Sequence, residues 1–433
     1  MLSISGLLLG LLALIYLTMR GANLFIIAPL CALAVAFTNG VPFWQETGST
    51  DFIHAYMNGF SGFVSAWFLM FLLGSLFGKL MEHTGAADSV ALWIVSKVGK
   101  AHAVGAVVLA CAVLTYGGVS VFVVAFSAYP MAVSLFKDAN LPRRFIPAAL
   151  GLGSVTFTMT SAGSPEIQNW IPIQYLKTTP YAGWEVSIVV AIFMAAFGYA
   201  WLRRMIAGAV ARGEGFVGRD DDPSCVGRAL PSPLLSALPL LVVLLLSNYL
   251  HHALQQAALI VALAGGVVSL YLLNRRYLAS LDKALNEGVT GSLLAIGNTA
   301  AVVGFGSVAK LTPAFDSIVQ HLTHLPGPEL LGAAVAVSAI AGLTGSASGG
   351  QAIALPEIAP VYLDRGVQPD ELHRVVAISS GALDSLPHNG YVVTTIRAIC
   401  GEKHQDAYWP VAAVTVVVPA VGTLLAILLF QWW

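Results

Sequence analysis

The stretch ALDSLPHNGYVV, residues 382–393, sets an acid, a hydroxyl, a proline, an imidazole and a carboxamide between two long apolar runs. In a soluble protein such a segment is an ordinary turn. Here the 433-residue chain is 57% hydrophobic and only 10% charged, where a soluble domain carries about 25% charged residues. The flanking runs therefore read as membrane segments, and the polar stretch as a break at membrane depth. Unpaired backbone N–H and C=O groups are costly in hydrocarbon, so such a break persists only where protein buries it or where it lines a wet cavity. The expected fold is an all-α polytopic membrane protein.

Working outward, runs of roughly 20 apolar residues fall at 2–19, 22–38, 52–80, 103–135, 144–176 and 185–202. A second set falls at 233–250, 257–273, 286–310, 329–361, 374–399 and 409–430. The first run has no basic residue ahead of it and no small-residue cleavage pattern after it, and reads as a retained helix. Residues 203–233, with Asp220, Asp221 and Asp222, form the only sizeable hydrophilic linker. The expected division is a first transmembrane repeat over 1–205, a cytoplasmic linker over 206–232 and a second repeat over 233–433.

The halves echo one another. GFSG at 59–62 answers GVTG at 288–291, LFKDANLPRRF at 135–145 answers YLDRGVQPDEL at 362–372, and TSAG at 160–163 answers PHNG at 387–390. The three landmarks keep their order and an offset of about 228 residues, which points to duplication. In each half one run is interrupted by glycine and serine: Tyr116-Gly117-Gly118-Val119-Ser120, and residues 344–350, TGSASGG. Arms this short suit a re-entrant hairpin. The next run in each half is broken by TMTSAGSPEIQN, residues 158–169, or by DSLPHNG.

With five crossings and one hairpin per half and both termini outside, all but four of the 21 Lys and Arg residues fall inside, as the positive-inside bias requires. The four placed outside are Lys177, Lys310, Arg365 and Arg374. An odd number of crossings makes the second copy enter from the opposite side, giving an inverted repeat.

Four breaks, two per repeat, predict one shared polar site near the midplane. Helix N-termini freed there bring N–H donors and positive dipole ends, suited to a carboxylate. The candidate substrate contacts are Ser120, Thr160, Ser161, Ser164, Asn169, Ser346, Ser348, Ser385 and Asn389. Ionisable groups inside membrane segments are expensive, and Asp384, His388 and Glu166 are the candidate proton-coupling residues. Each also has a structural reading: Asp384 as a helix cap, His388 on a loose carbonyl, Glu166 as a first-turn acid.

The blocks TMTSAGSPEIQNWIPIQYLKTTPYAGWE (158–185), GLTGSASGGQAIAL (342–355) and ALDSLPHNGYVVTTIRAICGEKHQDAYWP (382–410) resemble the gluconate permease family, within the ion-transporter superfamily of paired hairpins and unwound helices. The resemblance extends over most of the chain. It implies a bacterial inner-membrane, proton-coupled symporter of gluconate, glycerate, 3-hydroxybutyrate, D-serine or a similar small carboxylate. It also implies a homodimer and an elevator-like displacement. Glu166 departs from the family pattern, which carries a neutral residue there.

Sodium coupling stays open, because carbonyls and hydroxyls at half-helix ends also bind hard cations. An intramembrane hydrolase is disfavoured, because no G-x-S-x-G elbow is present and Asp384 lacks a partner aspartate in a comparable run. No Walker motif, cofactor motif or nucleic-acid-binding charge balance is present. Cys31, Cys111, Cys225 and Cys400 show no paired spacing and read mainly as packing residues. Glu82, His83, His102, His251, His252, His321 and His324 read as wet groups at membrane boundaries, with no metal expected. Trp44, Trp409, Trp432 and Trp433 read as interfacial anchors, and Arg397 as a snorkelling cation.

Overall fold

The computed structural model describes residues 2–20, 22–45, 51–98, 102–219, 222, 229–254, 257–323 and 327–432. Its first half runs α1 (Leu2–Met19), α2 (Leu24–Thr38), α3 (Phe52–His83), α4 (Ala86–Val98), α5 (Ala103–Tyr116), α6 (Val121–Asp138), α7 (Ile146–Gly151), α8 (Ile167–Leu176) and α9 (Trp184–Ala211). The second half runs α10 (Pro233–Leu254), α11 (Ala257–Asn274), α12 (Leu281–Ala309), α13 (Pro313–Thr323), α14 (Glu329–Thr344), α15 (Ala347–Asp364), α16 (Pro369–Leu383), α17 (Gly390–Val393), α18 (His404–Ala412) and α19 (Val418–Trp432). No strand occurs among the described residues. Among the described residues, seven helical segments, including α3, α9 and α12, are long and apolar enough to cross a membrane.

The order of elements recurs. Helices α3, α4, α5 and α6 start roughly 227 residues before α12, α13, α14 and α15. The short helices α4 and α13 lie outside the apolar runs. Helix α3, with 32 residues, is about 48 Å long at 1.5 Å per residue, more than the roughly 30 Å hydrocarbon core, so it must tilt or project. It packs along α12 through glycine. A Cβ added to Gly59 would fall 2.1 Å from Ser307 Oγ, one on Gly288 2.8 Å from Leu76, and one on Gly304 2.9 Å from Tyr56. Close approach of this kind is how membrane helices gain contact where the hydrophobic effect contributes little.

Large apolar side chains face outward, including Leu9 and Leu12 on α1, Ile192 on α9 and Leu245 on α10, as expected where the solvent is lipid. Cys31, Cys111 and Cys400 are free and buried; Cys225 lies outside the described residues, as do His324, Trp433, Asp220 and Asp221. Trp44, Trp409, Trp432 and Arg397 are exposed.

One sequence expectation fails, for His251. Arg374 is fully buried on α16, where the backbone carbonyls of Thr160 in the first break and of Pro180 and Ala182 in the α8–α9 connection receive its guanidinium. His251, assigned to the wet boundary, is also buried, its ring edge-on to Trp170 at 5.8 Å. Local hydropathy reports neither, since tertiary contacts supply the burial.

Candidate transport site

Both hairpins turn on glycine. Helix α5 ends at Tyr116, Gly118 takes φ +93°, and α6 begins after Ser120. In the second half Gly345 takes φ +54° at the end of α14, a left-handed conformation that favours glycine. Ser346 then caps α15, its hydroxyl oxygen accepting from the Gly349 amide at 3.2 Å.

The second break is tied to the second tip by one side chain. Asn389 accepts from the Val392 amide at 2.9 Å, capping the short helix α17, and donates to the Gly345 carbonyl at 2.9 Å. Asp384 closes α16 and accepts from the Ser385 hydroxyl at 2.9 Å. His388 is buried beside Gly345, and its ring nitrogens make no well-formed hydrogen bond.

The first break is held by a denser set of bonds. Asn169 donates to the carbonyls of Ser164 and Pro180, both at 3.0 Å, and Trp170 donates to the Ser164 carbonyl at 3.1 Å. The Tyr116 hydroxyl donates to the Ala162 carbonyl. From the second half, Arg374 donates to the carbonyls of Ala182 at 2.9 Å, Thr160 at 2.5 Å and Pro180 at 3.4 Å. Its neighbour His373 bonds the Thr178 hydroxyl at 2.6 Å. Gln351 on α15 reaches across to the Gln168 carbonyl at 3.0 Å.

A cavity of about 600 Å³ joins both tips and both breaks. Its wall carries Ser120 from the first tip, Glu166 from the first break, Ser346 and Ser348 from the second tip, and Asp384, Ser385, His388 and Asn389 from the second break. The other four candidates lie off this wall; the side chains of Ser161, Ser164 and Asn169 bond backbone around the first break, while the buried Thr160 hydroxyl has no hydrogen-bond partner. Thr160 is buried with its carbonyl on Arg374, Ser161 donates to the Phe157 carbonyl, Ser164 accepts from the Glu166 amide at 3.3 Å, and Asn169 bonds as above.

Helices α6, α8 and α15, and the helical segment opening at Gly390, all begin at residues of the cavity wall. Their first amides lack intrahelical acceptors, so the wall is rich in N–H donors and positive dipole ends. Glu166 precedes α8 without capping it, and Ser120 precedes α6 in the same way, leaving both side chains available to the cavity. Among the described residues no group of three His, Cys, Asp or Glu side chains is placed to hold a metal ion.

Sequence reasoning passed over several polar wall residues: Gln168, Asn298 and Thr299 on α12, Thr394, and Lys79 on α3. Asn298 and Thr299 carry a signal that could have found them, being adjacent polar residues inside the apolar run 286–310.

A model of the GntP family of permeases matches residues 2–169, and a model of the Na+/H+ antiporter family matches residues 228–429. An uncharacterized transporter of Bacillus subtilis is 36% identical over 457 residues, covering 95% of each chain. A high-affinity gluconate transporter of Escherichia coli is 25% identical over 399 residues, covering 87% of each. Among solved structures, the YdaH transporter of Alcanivorax borkumensis aligns with a TM-score of 0.58 at 14% identity, over 95% of this chain and 97% of that one. At that identity the likeness is one of fold.

Proposed function

This chain belongs to the GntP family of gluconate permeases and is a multi-pass membrane transporter rather than an enzyme, and from that premise we propose that it imports a small organic carboxylate by proton symport. Gluconate, glycerate and related hydroxycarboxylates are the substrate class. The observation that carries the reading is the cavity in which two hairpin tips and two helix breaks meet. Its chemistry suits a hydroxylated anion: amide N–H groups for the carboxylate, and Ser120, Ser346, Ser348, Ser385 and Asn389 for the hydroxyls.

Asp384, His388 and Glu166 stand on the same wall and are the proposed proton carriers. A proton taken up with the substrate offsets the anion's charge before the loaded site crosses the low-dielectric interior. The two repeats, inverted with respect to one another and joined by a cytoplasmic linker, give the site two related states. In each, the tips and breaks expose the cavity to one side by moving against α3 and α12. The protein acts in the bacterial inner membrane as a homodimer, as the family resemblance implies.

The test is uptake of labelled gluconate, glycerate, 3-hydroxybutyrate and D-serine into proteoliposomes, first with an inward proton gradient and no sodium, then with sodium and no proton gradient. Accumulation in the first condition, collapsed by a protonophore, is expected, and His388→Gln is expected to abolish it in folded protein. Accumulation only with sodium refutes the coupling, and no transport in either condition refutes the substrate class.

A further inference from the structure

The cavity runs from the breaks toward one end of the molecule. On α3 its wall includes Met70, Ser75 and Lys79 and nothing before Met70; on α12 it includes Asn298 and Val302 and nothing after. The opposite ends of these two helices are closed on each other. Tyr56 donates to the Ala301 carbonyl at 3.0 Å, and Phe52, Phe305 and Val308 are buried beside it. The mouth is therefore at the Lys79 end, completed by Ala22 and Asn23 of the α1–α2 turn.

Lys79 is the one lysine or arginine on the cavity wall among the described residues. Its ammonium lies 2.8 Å from Glu82 and 3.6 Å from Glu287, and Glu287 also meets His83 at 2.9 Å and Lys283 at 3.9 Å. Neither glutamate reaches the wall. Lys79 thus joins the cavity wall to two carboxylates that lie off it. The repeat offset of about 228 puts the counterpart of Lys79 within 305–308, which holds Phe305, Gly306, Ser307 and Val308 and no charge.

We propose that Lys79 is the anion-admitting residue of this one mouth: its single positive charge, together with that of Lys283 behind it, offsets Glu82 and Glu287 where a negatively charged substrate enters or leaves, and it does so on one side of the membrane only. The inference takes the anionic substrate from the functional reading above, but the electrostatics of the mouth can be tested without any substrate.

The experiment places a reporter thiol on the wall, Ala295→Cys, in a Cys225→Ser background, and measures modification by membrane-impermeant anionic and cationic methanethiosulfonates in vesicles of each orientation. Modification is expected from the Lys79 side, and Lys79→Gln should lower the anionic-to-cationic rate ratio about three- to five-fold at low salt, less at high salt. Lys79→Arg should keep the original ratio, and Glu82→Gln with Glu287→Gln, Lys79 intact, should raise it. A ratio indifferent to Lys79→Gln and to the double glutamate change, or a reporter reached only from the opposite side, overturns the proposal. If the wild type carries no carboxylate while the ratio still follows Lys79, the functional reading fails and this one stands.

Discussion

Replacing Gly345 by alanine probes the joint between the second tip and the second break. Two effects separate cleanly. The first is backbone strain: at φ +54° an L-residue costs about 1–2 kcal/mol relative to glycine. The second is steric, because the new Cβ would lie 2.7 Å from His388 Cδ2 and 2.8 Å from its Nε2. Carbon atoms in contact sit about 3.5–4.0 Å apart, so the ring must move by roughly 1 Å. The ring is a side-chain end and yields cheaply, so the stability cost belongs to the backbone and the functional cost to the displaced imidazole. Gly366→Ala is the control, since Gly366 has φ +86° and a Cβ added there would meet no atom within 4 Å. Both variants should lose similar thermal stability in detergent, a few degrees in Tm. Only Gly345→Ala should lose proton-driven uptake, by at least about ten-fold, as displacements near 1 Å commonly do in preorganised sites. Equal uptake by the two variants would refute the placement of His388 at the working site.

Three further outcomes follow from the packing. Gly350→Ala puts a Cβ 2.5 Å from the Ala341 Cα, a backbone atom that cannot swing aside, so the second hairpin should fail to close and the yield of folded protein on size exclusion should fall sharply. Arg374→Met strands the Thr160 and Ala182 carbonyls in the interior at about 1–3 kcal/mol each, while Pro180 keeps its bonds from Asn169 and the Gly163 amide; its melting temperature should drop well below that of Arg397→Met, which alters an exposed side chain. Arg143→Gln removes the ion pairs to Asp222 and to Glu402, the latter at 3.2 Å, and should speed tryptic cleavage within 206–232. Partial burial pushes the Asp222 carboxyl up, but the Arg219 amide and the Arg143 guanidinium outweigh it and hold the group below its ordinary value of 3.8. A lowered value means the contact contributes fully above that ordinary value and is lost as pH falls through the lowered one. Linker protection should therefore be flat from about pH 8 to pH 5 and fail only in stronger acid.

The membrane class, the hairpin tips and the helix breaks were legible because each is written locally. Long apolar runs demand a hydrocarbon solvent, and glycine, proline and clustered polar groups inside them demand that the helix stop. Gly117-Gly118 and Gly345-Ser346 mark the observed turns for this reason, and Pro387 and Pro165 sit in the observed breaks. Which polar residue at a break faces the cavity was not written locally. Ser120 and Ser346 reach the wall, whereas Ser161, Ser164 and Asn169, equally polar and equally central, bond the loop that carries them. A hydroxyl or amide serves a stray carbonyl as readily as a ligand, and only the fold says which partner is nearer.

The sequence alone therefore determined that this chain crosses a membrane, that it is built on a repeated plan, and where its helices are interrupted, because solvent preference and backbone hydrogen bonding act over a few turns of chain. The tertiary structure decided what those interruptions do. It buried Arg374 among carbonyls nearly 200 residues away, set Lys79 on a cavity wall that no local pattern announces, and gathered four separate breaks around one cavity, because packing distances between remote segments are fixed by the whole fold.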